Sequence, residues 1–171
     1  NAALALEFMI LTATRTGEVR GAKWQEINLH NAVWTIPEER MKIQREHRVP
    51  LCLRAMDILN SLKSNHNPED FIFLGGKIGK GLSDGAMLIL LKKMKIGPYT
   101  PHGFRSTFRD WAAEEAHQFS NEVIELALSH TIRNKTEAAY RRGDQLERRR
   151  ELMNEWNKYI EKSLSKTHAN Q

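Results

Sequence analysis

Thr100-Pro101-His102-Gly103-Phe104-Arg105 is the stretch on which the reading of this chain turns. Thr100 suits an N-cap, because its hydroxyl can accept from the free N–H groups of a first helical turn. Pro101 suits the first helical position, where its missing N–H costs nothing. The pair predicts a helix from Pro101 to about Glu115. His102 and Arg105 are then i,i+3 neighbours on one face, near backbone N–H groups that already favour an anion. A surface histidine and arginine on an amphipathic helix explain the same spacing without any ligand.

Downstream, Ser120 followed by Glu122 opens another helix, with a carboxylate complementing the N-terminal dipole. It ends on Ala127-Leu128-Ser129-His130, and Tyr140 follows within Ala138-Ala139-Tyr140-Arg141-Arg142. Met153, Trp156, Ile160 and Leu164 then outline a last amphipathic helix, which must bury its stripe on its own domain or on a partner copy. Upstream, Leu4, Phe8 and Leu11 mark a first helix that the pattern carries to Thr16-Gly17, with a further helical stretch from Glu18 to Ile27. Val33-Trp34-Thr35-Ile36 and Arg48-Val49-Pro50-Leu51 read as strands of a small antiparallel sheet, with Lys42 in the hairpin between them. Helices over Leu53 to Leu62 and Ala86 to Met94 complete the picture. The expected class is mainly α with a small antiparallel β-sheet (α+β), without internal repeats or an obvious domain break.

The 171 residues, 40% hydrophobic and 27% charged, suit one ordinary domain with a real core. The net charge of +5 lies mostly after Gly85, which is compatible with a polyanionic partner without requiring one. Cys52 stands alone, so a disulfide framework and a cysteine-based zinc site are excluded and a reducing, cytoplasmic setting is expected. No apolar run is long enough for a membrane span. The glycines of Gly75-Gly76-Lys77-Ile78-Gly79-Lys80-Gly81 have the wrong spacing for a phosphate loop, and the histidines show no metal-ligand pattern. Neither a cofactor nor a metal is expected. The chain begins at Asn1 with helical periodicity already running by Leu4, so it reads as a segment of a longer polypeptide.

Each remaining candidate has a structural explanation when taken singly. Arg15 and Glu18 could be an i,i+3 ion pair at a helix end, and Lys42 a solvated edge-strand lysine. His130 could cap a helix, and Tyr140 could be core. As an ordered set they resemble the tyrosine recombinases, the phage-integrase family. The resemblance runs through Arg15 with Glu18, Lys42 before Val49-Pro50-Leu51, His102-x-x-Arg105, Leu128-Ser129-His130 and Tyr140, and covers the family's catalytic domain. Thr35 to Lys42 and Glu147-Arg148-Arg149-Arg150 are most similar to prophage and genomic-island integrases. Ser129 departs from the glycine or alanine usual before that histidine.

The resemblance implies a tyrosine recombinase catalytic fold over residues 1–171, with the N-terminal DNA-binding domains of the full-length protein absent. It implies metal-independent cleavage of one DNA strand through a 3′-phosphotyrosine and later religation, as in integration and excision. Rigid guanidinium forks suit the charge that builds on nonbridging phosphate oxygens, the role implied for Arg15 and Arg105. A phenol is a weak nucleophile near neutrality, so Tyr140 needs His102 as proton acceptor. Lys42 would protonate the departing 5′-oxygen, His130 would hydrogen-bond a nonbridging oxygen, and Glu18 would orient its neighbours. Double-stranded attachment sites, a recombination tetramer and DNA-bending accessory proteins are the implied partners. A type IB topoisomerase-like enzyme and a noncatalytic DNA-binding module remain open alternatives at this point.

Overall fold

α1 (Ala2–Thr12) buries Ala5, Leu6, Phe8, Met9 and Leu11, with no single polar face, and such a helix is stable only inside a protein. The computed structural model describes residues 1–63, 66–130 and 143–169, with side chains through residue 165. α1 ends earlier than its apolar pattern suggests. Ala13 turns left-handed at φ 50°, and the Thr12 hydroxyl donates back to the Phe8 carbonyl at 2.7 Å. Thr16-Gly17 therefore opens α2 (Thr16–Arg20) instead of closing α1. The helical stretch expected from Glu18 to Ile27 breaks at Gly21, and only a short 3-10 turn, Trp24–Glu26, follows.

Three short strands come next: β1 (Ile27–Asn28), β2 (Val33–Ile36) and β3 (His47–Pro50). They form an antiparallel sheet in the order β1-β2-β3, with Trp34 opposite Val49 and Ile36 opposite His47. α3 (Leu53–Leu62), α4 (Ala86–Lys93) and α5 (Pro101–Glu115) lie where their periodicity and caps predict. The Ser120 hydroxyl accepts from Val123 N at the start of α6 (Asn121–Ala127), and α7 (Leu146–Ala169) is the last helix among the described residues.

Two apolar clusters share α1. One gathers Phe8, Trp34, Ile36, Val49, Ile58, Leu59 and Leu91 from α1, the sheet, α3 and α4, with Phe73 from the stretch between α3 and α4. The other gathers Phe108, Trp111, Val123, Leu152 and Trp156 from α5, α6 and α7, with Leu128 from the cap that ends α6. Ile10 and Ile160 touch both. α7 packs on its own domain, because Met153 and Trp156 are buried and the Trp156 indole donates to the Ile10 carbonyl at 2.8 Å. Leu164, the last residue of the stripe, is exposed.

Candidate functional site

Two chain reversals set the site. At the first, Arg15 is the extended N-cap of α2, and Glu18 reaches back to it: one carboxylate oxygen accepts from the Arg15 backbone N–H at 2.7 Å and the other from its guanidinium at 2.8 Å. Glu18 is buried, so the pair fixes the rotamer of Arg15 and not merely its charge. The second reversal ends α6. Ser129 N donates to the Leu126 carbonyl at 3.1 Å and His130 N to the Glu125 carbonyl at 3.0 Å, while Ser129 lies in the left-handed region at φ 48°. This is a Schellman cap, whose left-handed position favours glycine.

Arg105, from the second turn of α5, joins the two reversals. Its guanidinium donates to the Ala13 carbonyl and to the Leu128 carbonyl, while Arg15 donates to the next carbonyl, Ser129, at 3.3 Å. Residues 15 and 105 thus converge on consecutive carbonyls immediately before His130. Arg105 is only 6% exposed and makes no ion pair with a described carboxylate. Burial, and then the Arg15 charge, lower its pKa to about 10, with Glu18 and Glu125 opposing. It stays protonated at neutral pH. Glu18 is held by Arg15, and Glu125 by Arg109 and His130, so the Arg105 charge is left without an ion pair of its own among the described residues, an excess suited to an anion.

His130 pairs through Nδ1 with Glu125 at 2.7 Å, and Arg109 holds the other oxygen of that carboxylate at 2.8 Å. Burial alone would raise the Glu125 pKa, but the hydrogen bonds from His130 and Arg109 outweigh it and carry it below the usual carboxylate range. With Nδ1 donating to a carboxylate, the far nitrogen Nε2 donates only in the imidazolium form. The same arrangement fixes the ring.

His102 stands exposed in the first turn of α5, where the Thr100 hydroxyl accepts from Gly103 N at 3.2 Å. It has no hydrogen-bond partner among the described residues, so the shared face with Arg105 is a matter of helix spacing and not of contact. Lys42 is exposed in the connection between β2 and β3, beyond the end of β2, and so is a loop residue and not an edge-strand one. Tyr140 lies outside the described residues, as do Arg141 and Arg142.

Sequence reasoning missed His47, Arg149 and Glu125. His47 is 7% exposed on β3, and its pKa falls to about 3 through burial first, then the charges of Arg149, Arg105 and Arg15. Its signal was strand alternation, since it shares the inward face with Val49. Arg149 is 1% exposed; it holds the Asp144 carboxylate at 2.8 Å and the Asp144 carbonyl at 2.7 Å, and donates to the Arg48 carbonyl. Four residues before Met153, it sits on the apolar stripe of α7, a position its charge disguised. Glu125 gave no signal, because its approach to His130 depends on the cap geometry.

The model described as Phage integrase family matches residues 1–147, a span that includes every candidate above up to Tyr140. The chain belongs to the phage integrase family. The prophage integrase IntA of Escherichia coli strain K12 is 36% identical over 151 residues, covering 87% of this chain and 36% of that protein. The prophage integrase IntZ of the same strain is 34% identical across 94% of the chain, and the integrase of Enterobacteria phage P4 is 32% identical across 95%. The chain spans about two fifths of the length of these relatives, at 36%, 40% and 41%. The crystal structure of XerA recombinase shares the fold, with a TM-score of 0.57 over 86% of this chain and 58% of that one at 17% identity. Among the described residues no helix is long and apolar enough to cross a membrane.

Proposed function

We propose that this chain is the catalytic domain of an integrase that recombines DNA at specific sites through a 3′-phosphotyrosine. The convergence of Arg15 and Arg105 on the Leu128 and Ser129 carbonyls, next to His130, is the observation that carries the reading. It supports a positively charged seat for one scissile phosphate, flanked by a third hydrogen-bond donor. Arg15 and Arg105 hold the nonbridging oxygens, and His130, in its imidazolium form, adds a hydrogen bond through Nε2. Glu18 keeps Arg15 oriented without touching DNA.

In the proposed step the Tyr140 phenol gives its proton to His102, and its oxygen forms a bond to phosphorus. The bond from phosphorus to the 5′-oxygen breaks, and that oxygen takes a proton from the Lys42 ammonium. The phosphotyrosine ester keeps the energy of the broken bond, so a second 5′-hydroxyl reverses the step and reseals the strand without a nucleotide. Double-stranded attachment sites are the substrate, four copies assembled on two duplexes with DNA-bending accessory proteins are the working complex, and the bacterial cytoplasm is the setting.

The test is strand exchange between two labelled duplexes taken from the ends of the integrated element that carries the gene. Recombinant duplexes should form without added nucleotide and vanish with Tyr140→Phe. Relaxation of supercoils without exchange, or exchange that survives Tyr140→Phe, contradicts the proposal.

A further inference from the structure

Arg40 ends the short turn Glu38–Arg40 that follows β2, two residues before Lys42. Its guanidinium donates to both carboxylate oxygens of Glu26 and to the backbone carbonyl of Glu18. The Glu26 side chain is 4% exposed and also accepts from the Trp34 indole at 2.9 Å. Gly21 leaves room for the guanidinium: a Cβ there would come within 2.8 Å of Arg40 Nη2. Met41 is buried in the apolar cluster of α1 and the sheet. The chain is therefore pinned at residues 40 and 41 from three elements, and Lys42 is the first exposed side chain after the pin.

We infer that Arg40 is a positioning residue for Lys42, and that it sets the lysine against the Arg15 side of the site through Glu18. Glu18 is the shared joint. Its carboxylate holds Arg15, and its carbonyl accepts from Arg40, so the root of the Lys42 loop and the rotamer of Arg15 hang on one residue. A buried ion pair adds little net stability relative to apolar packing, because desolvating both charges offsets their attraction. Geometry is what the fork provides: a guanidinium can bond a carboxylate and a carbonyl at once, which a lysine ammonium does in no fixed plane. A general acid has to lie within hydrogen-bond reach of its leaving oxygen, and a flexible lysine on an untethered loop spends little time there.

This inference rests on Lys42 as the proton donor, and the experiment separates the two. Nicked suicide duplexes from the same attachment site are prepared with the ordinary bridging 5′-oxygen or with sulfur in its place, since a thiolate leaves without protonation. Lys42→Ala, Arg40→Gln and Glu26→Gln are assayed on both, with gel-shift affinity and melting temperature measured alongside. Arg40→Gln and Glu26→Gln should cleave the oxygen substrate about a hundredfold more slowly, the scale of a misplacement near 1 Å. Like Lys42→Ala, they should recover on sulfur while DNA affinity is unchanged. Arg40→Lys, which keeps the charge but loses the fork, should show the same recovery from a smaller defect and carries the test if Arg40→Gln melts below the assay temperature. Rescue of Lys42→Ala without rescue of the Arg40 and Glu26 variants overturns the inference alone. No sulfur rescue of Lys42→Ala overturns the proton-donor assignment and the inference with it.

Discussion

Ser129 holds a left-handed backbone at φ 48° with its hydroxyl buried and unpartnered among the described residues. Both features cost free energy, and glycine removes both: it has no Cβ to clash at positive φ and no hydroxyl to desolvate. Ser129→Gly should raise stability by about 1 kcal/mol. A denaturant midpoint that falls on this substitution contradicts the reading of the α6 cap. His47 predicts a pH dependence. Its folded pKa is lowered to about 3, so between the unfolded value of about 6.5 and pH 3 the unfolded chain binds a proton that the native state refuses. Stability from this group is complete above pH 6.5 and is lost as pH falls, by up to about 1.4 kcal/mol per pH unit. His47→Gln should flatten the fall of melting temperature between pH 6.5 and 4.5. An unchanged slope would show that His47 is protonated in the fold. At this scale the sequence showed the arginines and the local partner Glu18, because motif spacing survives folding, but not the partners brought in from distant elements. Arg15, Glu18 and Arg105 were legible. Glu125 and the carbonyls of Ala13, Leu128 and Ser129 were not, since long-range hydrogen bonds leave no periodic trace.

α5 begins where its threonine cap and proline place it, and α3 matches its pattern, because caps and periodicity act within one element. α1 stops at Thr12 for reasons its own residues only half contain: the Thr12 hydroxyl bonds back to Phe8, but the Ala13 carbonyl is held by Arg105 from α5. The stripe of α7 was legible, but whether it packed on its own domain was not. The Trp156 ring lies 5.0 Å from that of Trp111 and 5.5 Å from that of Phe108, so the first half of α7 is core. Truncation after Arg150 removes Leu152, Met153 and Trp156, each at most 3% exposed, and should leave no cooperative melting transition. Truncation after Glu161 removes the exposed Leu164 and should leave the melting temperature within a few degrees. Equal stability of the two truncations would contradict the packing described here.

In the whole molecule, the site lies at the seam between the two apolar clusters. Arg15 comes from the side of α1, α2 and the sheet, Arg105 and His130 from the side of α5 and α6, and His47 from β3 has the charges of Arg15, Arg105 and Arg149 around it. The segment carrying Tyr140 leads into Asp144, which Arg149 ties to the sheet through the Arg48 carbonyl. Four residues after Tyr140 the chain therefore reaches a fixed point of the fold. The other two tyrosines have different duties: Tyr159 stacks on Trp156 at 5.7 Å, and Tyr99 is exposed beside Gly97 before α5 begins. The proposed function requires Tyr140 to be the nucleophile of an arginine-lined phosphate seat. Its most direct test is mass spectrometry of the peptides left after digesting the adduct trapped on a nicked suicide duplex. A nucleotide joined through its 3′-phosphate to Tyr140 is the predicted result. An adduct on Tyr99, Tyr159 or any other side chain, or an undiminished adduct from Tyr140→Phe, would contradict it.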